Sequence, residues 1–118
     1  MPHDITLLTE EHRAVWDWLV AKCAGKAHAQ PRAALLESYN TYHVAKLSDR
    51  KFRQLVSDLV LQFHLPVCPT SADGYYVARY QAELDHGIAE LKARAAAIFD
   101  RQRALEHARP LEPQGVLF

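Results

Sequence analysis

Histidine and cysteine are the residues of this chain that could bind a metal or act as nucleophiles, and their spacing favours neither role. The seven histidines are scattered, with no pair at i and i+4. His64 and Cys68 lie four residues apart, but no third ligand accompanies them, so we expect no zinc site. Cys23 stands alone, with no CxxC pair, which predicts free thiols in a reducing cytoplasm. Without a glycine-rich phosphate loop or a nucleophile elbow, the sequence predicts neither an enzyme nor a cofactor.

A local group of cations is the second chemical feature. Arg50, Lys51 and Arg53 fall within four consecutive positions. The whole chain has 14 basic and 14 acidic side chains and a formal net charge of zero, which excludes coating of nucleic acid by bulk charge. Two interpretations stay open: the solvated face of a helix, or a set of groups that contact DNA. On the second, a monomer binds DNA weakly and loses affinity steeply with salt.

The length and composition limit what can hold these cations. The chain has 118 residues and a mass of 13.4 kDa, the size of one domain. Apolar residues make up 49% and charged residues 24%, the balance of a globular protein. No apolar run approaches the roughly 18–20 residues that span a bilayer, and the first residues do not resemble a signal peptide. We therefore expect a cytoplasmic protein without a membrane partner.

The cation cluster lies on the clearest predicted helix. Ser48 is a suitable N-cap, and Asp49 follows in the first turn. An apolar stripe with helical spacing then begins at Phe52, and about 13–15 residues fit the pattern. This spacing predicts that Phe52 is buried and Arg53 exposed. The stripe consists of Phe52, Leu55, Val56 and Leu59.

Helices are also predicted before this element. The spacing from His12 to Cys23 predicts a helix over about 10–24, and the segment 25–30 is predicted to be a polar loop. Pro31 suits the first turn of a second helix, with helical content between 31 and 46. Whether Asn40-Thr41 breaks that helix is left open.

A β-hairpin is predicted after the cationic helix. The two prolines in 65–69 allow only an edge strand or an extended run. Asp73-Gly74 indicates a tight turn within 70–74, and residues 75–78 favour a strand. The predicted fold is thus mainly α with a small two-stranded β-hairpin.

Two segments carry a resemblance to a known family. They read Leu47-Ser-Asp-Arg-Lys-Phe-Arg-Gln-Leu-Val56 and Leu65-Pro-Val-Cys, followed by Asp-Gly-Tyr-Tyr-Val-Ala78. Together they resemble winged helix-turn-helix proteins encoded by phages and prophages. The resemblance covers about 47–108, and the first 46 residues match only in general outline. Lys46 stands where those relatives usually place glycine.

The resemblance implies a winged-helix domain over 1–80 that binds double-stranded DNA, in replication or in regulating transcription. A helix fits the major groove, and its outward polar side chains reach base edges and phosphates. The rival hypothesis is a protein–protein adaptor that uses the same scaffold without binding DNA. The residues expected to contact DNA are Ser48, Arg50, Lys51, Arg53, Gln54, Ser57 and Arg79.

A long helix is predicted over 81–108. Its apolar positions alternate in steps of four and three for three heptads, which favours a homodimer formed through 84–105. The alternative is a helix that packs back on its own domain, although such a helix is about 30–35 Å long. The heptad positions are Leu84, Ile88, Leu91, Ala95, Ile98, Gln102 and Leu105.

The tail over 109–118 contains two prolines and a glycine and is predicted to be a flexible arm. Its last residues, Gln114-Gly-Val-Leu-Phe118, resemble the peptide with which bacterial proteins bind the sliding clamp. That resemblance implies partner contacts by Gln114, Leu117 and Phe118. The alternative is that the terminal Leu-Phe pair packs on the protein's own core.

Overall fold

The order of the elements is two helices separated by a short strand, a third helix, a hairpin and a long last helix. The computed structural model describes residues 7–112. These residues form a mainly helical fold with a small antiparallel sheet in the order β1-β3-β2. A single turn of 3-10 helix, Lys26–His28, lies before β1. The elements are α1 (Glu10–Cys23), β1 (Gln30–Pro31), α2 (Arg32–Tyr42), α3 (Asp49–Leu61), β2 (Val67–Pro69), β3 (Gly74–Val77) and α4 (Gln81–Glu106).

The two amphipathic helices α1 and α3 supply much of the core. Each begins at a hydroxyl N-cap: Thr9 accepts the His12 backbone N–H, and Ser48 accepts that of Lys51. Their apolar stripes are buried against α2 and the sheet. The stripe predicted on α3 is confirmed. The fully or almost fully buried residues of these helices are Val15, Leu19, Cys23, Phe52, Leu55, Val56 and Leu59.

The sheet has three strands, so the prediction of a two-stranded hairpin was incomplete. Gln30 pairs with Tyr75 and Pro31 with Gly74, which places β1 on the outer edge of β3. The predicted loop therefore ends in a strand, and α2 begins at Arg32 rather than at Pro31. Proline is tolerated there because an edge strand does not need every N–H. A Cβ on Gly74 would collide with the Gln30 carbonyl oxygen, so glycine permits this close pairing.

Helix α2 is continuous through Asn40 and Thr41, so the break left open in the sequence does not occur. The Thr41 hydroxyl donates to the Glu37 carbonyl, one turn back. The Asn40 amide is bonded outside the helix, because its oxygen accepts the Leu47 N–H and its nitrogen donates to the Leu47 carbonyl. Asn40 thus fixes the turn between α2 and α3 without disturbing α2.

The described residues divide into two compact units, one ending at Gly87 and the other beginning at Ile88. The first turns of α4 belong to the first unit: the Tyr76 hydroxyl donates to the Glu83 carbonyl at 3.1 Å. A Cβ on Gly87 would lie 2.7 Å from Cys68 Sγ, so only glycine allows this approach. None of the described helices combines the length and the apolar character needed to cross a bilayer.

Candidate nucleic-acid interface

Helix α3 separates its side chains into two faces. Phe52 is 0% exposed on the inner face, whereas the neighbouring Arg53 side chain is 55% exposed. The sequence prediction for this pair is confirmed. Of the predicted DNA contacts on α3, Ser57 is half-buried, while the others are exposed. The exposed ones are Ser48, Arg50, Lys51, Arg53 and Gln54.

Arg32 connects the start of α3 to the turn between β2 and β3. Its Nε donates to Asp49 Oδ1 at 2.8 Å, and its Nη1 donates to Asp73 Oδ1 at 2.6 Å. The hydrogen bond to Asp49 raises the pKa of the Arg32 guanidinium above its usual value. The Arg32 backbone N–H also donates to the Asp73 carbonyl. The hairpin turn is therefore held beside the first turn of α3.

Carboxylates accompany most of the cations on this surface. Arg53 Nε lies 3.2 Å from Asp49 Oδ2, and Lys51 Nζ lies 3.7 Å from Glu11 Oε1. The Arg50 side chain makes no ion pair or hydrogen bond within residues 7–112. These exposed ion pairs are weak, about 0.2–1 kcal/mol each, so a phosphate can compete for the cations. The start of α3 carries a modest positive charge rather than a strong one.

The turn that precedes α3 is built around a lysine. Lys46 Nζ donates to the carbonyls of Asn40 and His43 at the end of α2, the latter at 2.9 Å. A cation at this end is favourable, because helix C-termini carry a partial negative charge. Lys46 therefore stabilises the turn between α2 and α3.

Arg79 lies near Val60 at the end of α3 rather than beside the cations at the start of that helix. Arg79 follows β3 at the end of the strand that is far from the 70–73 turn. The extended chain from Asp73 to Arg79, at 3.3 Å per residue, places it about 20 Å from that turn. Its guanidinium lies 5.5 Å from the Tyr80 ring centroid, and its backbone N–H donates to Glu83. The other predicted partner residues, Gln114, Leu117 and Phe118, lie outside the described residues.

A polar link between α1 and α3 lies on the far half of α3. His12 Nε2 donates to Asp58 Oδ2 at 2.9 Å, across 46 residues of sequence. His12 Nδ1 lies 2.6 Å from the Thr9 hydroxyl, and Gln54 Nε2 donates to Asp58 Oδ1. The hydrogen bond from His12, followed by that from Gln54, lowers the pKa of the Asp58 carboxyl below its usual value. Gln54 must leave Asp58 before its amide can contact a base.

The lowered pKa of Asp58 predicts a contribution to acid sensitivity. A carboxyl whose pKa is lower in the folded chain stabilises the fold above its unfolded pKa of about 3.9 and loses that contribution as the pH falls through the folded value. Urea unfolding at pH 5 and pH 3 should therefore show a smaller loss of stability in Asp58→Asn than in the parent chain. Asp17→Asn, which changes an exposed carboxyl on α1, is the control and should lose as much stability between pH 5 and pH 3 as the parent chain. Equal losses in the parent and Asp58→Asn would contradict this role.

The two cysteines lie in buried positions that suit small apolar side chains. Cys23 and Cys68 are both buried, and neither forms a disulfide. Burial raises the pKa of the Cys23 thiol to about 11, which keeps it protonated at neutral pH. Within residues 7–112, no three His, Cys, Asp or Glu side chains come together as metal ligands.

Comparison with known proteins leaves the site to be interpreted from its own geometry. No known family, curated protein or solved structure matches this chain. Sequence reasoning found the outward face of α3, but it missed Arg32, Glu11 and Asp73. The i, i+3, i+4 spacing of apolar residues revealed the helix face. The partners of Arg32 lie 17 and 41 residues further along the chain, at Asp49 and Asp73, and no local spacing indicates such contacts.

Proposed function

We propose that this protein binds double-stranded DNA through the outward face of α3, in a winged helix-turn-helix arrangement. The observation that carries the proposal is that α3 buries its stripe from Phe52 to Leu59 while exposing Arg50, Lys51, Arg53 and Gln54. A helix held in this way can enter a major groove with those side chains directed at base edges and phosphates. Replication or the regulation of transcription is the process that we propose it serves.

The hairpin turn supports this proposal by its position. Arg32 keeps residues 70–73 beside the first turn of α3, where a wing can contact the DNA backbone. The turn carries no lysine or arginine; it reads Thr70-Ser-Ala-Asp73. Its contacts with phosphates therefore come from hydroxyl and backbone groups, and the cations of α3 supply the charge.

Fluorescence anisotropy of the full chain with a labelled random duplex tests the proposal. About three phosphate contacts per chain predict that the affinity of a single bound chain falls roughly 40-fold between 50 and 200 mM salt, and that of a dimer with both chains on DNA falls more steeply. Absence of binding at 50 mM salt would overturn DNA binding.

The paired charges favour one second candidate, an adaptor that binds a protein rather than DNA. The carboxylates of Glu11, Asp49 and Asp73 lie among the cations of the same surface. Such a mixed surface suits a partner that carries both signs of charge, whereas the phosphate backbone is uniformly negative. Salt-steep binding to the duplex would exclude this candidate.

We further propose that the protein forms a homodimer through the 84–105 stripe. In the second unit, the apolar residues of α4 are exposed: Leu91 by 46%, Ile98 by 59% and Leu105 by 68%. If the steps of four and three are taken as a heptad, a parallel pair of helices places Arg101 opposite Glu106 of the second copy. An antiparallel pair centred near residue 97 would instead place Arg94 of one copy beside Arg101 of the other. Because these two charges repel each other, the charge pattern favours the parallel pair. A dimer also doubles the number of cations offered to DNA.

A charge in the stripe should dissociate this dimer. Ile98→Asp places two like charges in the seam of the parallel pair, so the mass from sedimentation equilibrium should fall from about twice 13.4 kDa to the monomer value. Ala93→Asp, on the opposite side of the same helix, should leave the mass unchanged. A monomeric parent chain would contradict the dimer.

The tail is proposed to bind a bacterial sliding clamp. Burial of Leu117 and Phe118 in a pocket contributes roughly 1.5–3 kcal/mol each before the cost of ordering the segment, which predicts micromolar affinity. Deletion of 114–118 should abolish clamp binding in a pull-down and leave DNA affinity and helical content unchanged. A deletion that destabilises the chain would instead assign the tail to the core.

A further inference from the structure

A groove lies between the end of α3 and the start of α4, on the first unit. Its volume is about 400 Å³, within the roughly 300–1,000 Å³ typical of small-molecule sites. The lining residues run from Val60 in α3 to Leu84 in α4, so all of them precede Gly87. The apolar part of the lining is aliphatic and consists of Val60, Leu65, Pro66, Ala78 and Leu84.

The remaining lining residues are polar and none is itself a carboxylate, although the Gln81 amide donates to Asp85 Oδ1 at 2.8 Å. They are His64, Arg79, Tyr80 and Gln81. The Arg79 guanidinium lies 5.5 Å from the Tyr80 ring centroid and makes no ion pair within the described residues. Glu83 is nearby, but its oxygens accept the backbone N–H groups of Lys26 and Arg79, each at 2.8 Å. Glu83 also attracts the Arg79 charge, although the two form no ion pair, so the groove offers a partly balanced cation beside an aliphatic surface.

His64 occupies a backbone position that favours glycine. Its φ is +55°, just after α3 ends, where the Leu65 N–H donates to the Leu59 carbonyl. A non-glycine residue in this conformation costs free energy that glycine would not, so the imidazole is retained at a cost to stability.

We infer that this groove binds an aliphatic carboxylate, with the chain on the apolar lining and the carboxylate at Arg79 and His64. The forked N–H groups of one arginine match the two oxygens of one carboxylate. The start of α4, at Gln81, adds the favourable field of a helix N-terminus for a negative head group. This inference does not depend on DNA binding, because Arg79 lies away from the outward face of α3.

The test is a titration of the ¹⁵N-labelled full chain with octanoate, 1-octanol and octyl phosphate, followed by amide chemical shifts. Octanoate should shift the signals of Val60, His64, Ala78 and Leu84 and bind at least tenfold more tightly than 1-octanol. Shifts confined to 98–105, equal affinity for 1-octanol, or no binding would overturn the inference. Tighter binding of octyl phosphate would overturn the assignment of a carboxylate.

Two variants separate the groove from nonspecific binding. Arg79→Gln should weaken octanoate at least tenfold, to the level of 1-octanol, whereas Arg101→Gln, beside the apolar face of α4, should change nothing. His64→Gly should raise the melting temperature, because glycine suits the positive φ, and yet weaken octanoate binding. Octanoate affinity that is unchanged in Arg79→Gln or in His64→Gly would overturn the site, since both variants keep the backbone that the groove requires.

Discussion

Replacement of Phe52 by alanine is expected to lower the free energy of unfolding by about 3–5 kcal/mol. The Phe52 side chain is fully buried at the contact between α3 and the sheet, where its ring meets the Tyr75 ring edge-to-face at 6.4 Å. Alanine loses the burial of the ring and leaves a cavity that the packed stripe cannot fill. Urea unfolding followed by circular dichroism measures the change.

The next residue provides the matched control for Phe52. Arg53→Ala removes an exposed side chain of similar size together with one exposed ion pair to Asp49, so the stability should change by less than about 0.5 kcal/mol. The buried and exposed faces of α3 would be wrongly assigned if Phe52→Ala lowered the free energy of unfolding by less than about 1 kcal/mol. The same would follow if Arg53→Ala lowered it as much as Phe52→Ala.

Removal of a cation from the outward face of α3 should weaken DNA binding and leave the stability almost unchanged, in contrast to Phe52→Ala. Arg50→Ala and Arg53→Ala are each expected to weaken binding to duplex DNA by roughly 1–3 kcal/mol, which is about 5- to 150-fold, with little change in melting temperature. Arg50 should give the larger effect, because Arg53 must give up its contact with Asp49 to reach DNA. Anisotropy titrations at one fixed salt concentration compare the variants.

Arg79→Gln is the control for that comparison, since it removes one positive charge at the far end of β3. It should leave DNA affinity within about twofold of the parent, because screening weakens a charge that lies beyond one Debye length of about 10 Å. Equal losses in Arg50→Ala and Arg79→Gln would indicate a general effect of net charge and would contradict an interface on α3.

Local sequence signals predicted the helices well because their causes are local. Ser48 as N-cap and the stripe from Phe52 to Leu59 define α3 without reference to the rest of the chain. The third strand was missed because Gln30 and Pro31 carry no alternating pattern. That strand exists only because β3 offers a free edge and Gly74 lets the backbones approach.

The predicted division of α3 into a buried and an exposed face is confirmed, whereas the polar contacts around the exposed face were not predicted. Arg32, with Asp49 and Asp73, joins three parts of the chain that are far apart in sequence, and no spacing rule links them. The break considered at Asn40 does not form because the Asn40 amide is bonded to Leu47, across a turn whose shape the sequence did not reveal. Long-range polar contacts of this kind become visible only when the fold is known.

Amide chemical-shift mapping with a short duplex tests the central claim, that the outward face of α3 contacts DNA. The largest shifts of the ¹⁵N-labelled full chain should fall on residues 48–54, with a second group in the turn 70–73. Both groups should lose their shifts as salt is raised. A bound duplex that leaves the signals of 48–54 unchanged would contradict the claim, whichever other surface responds.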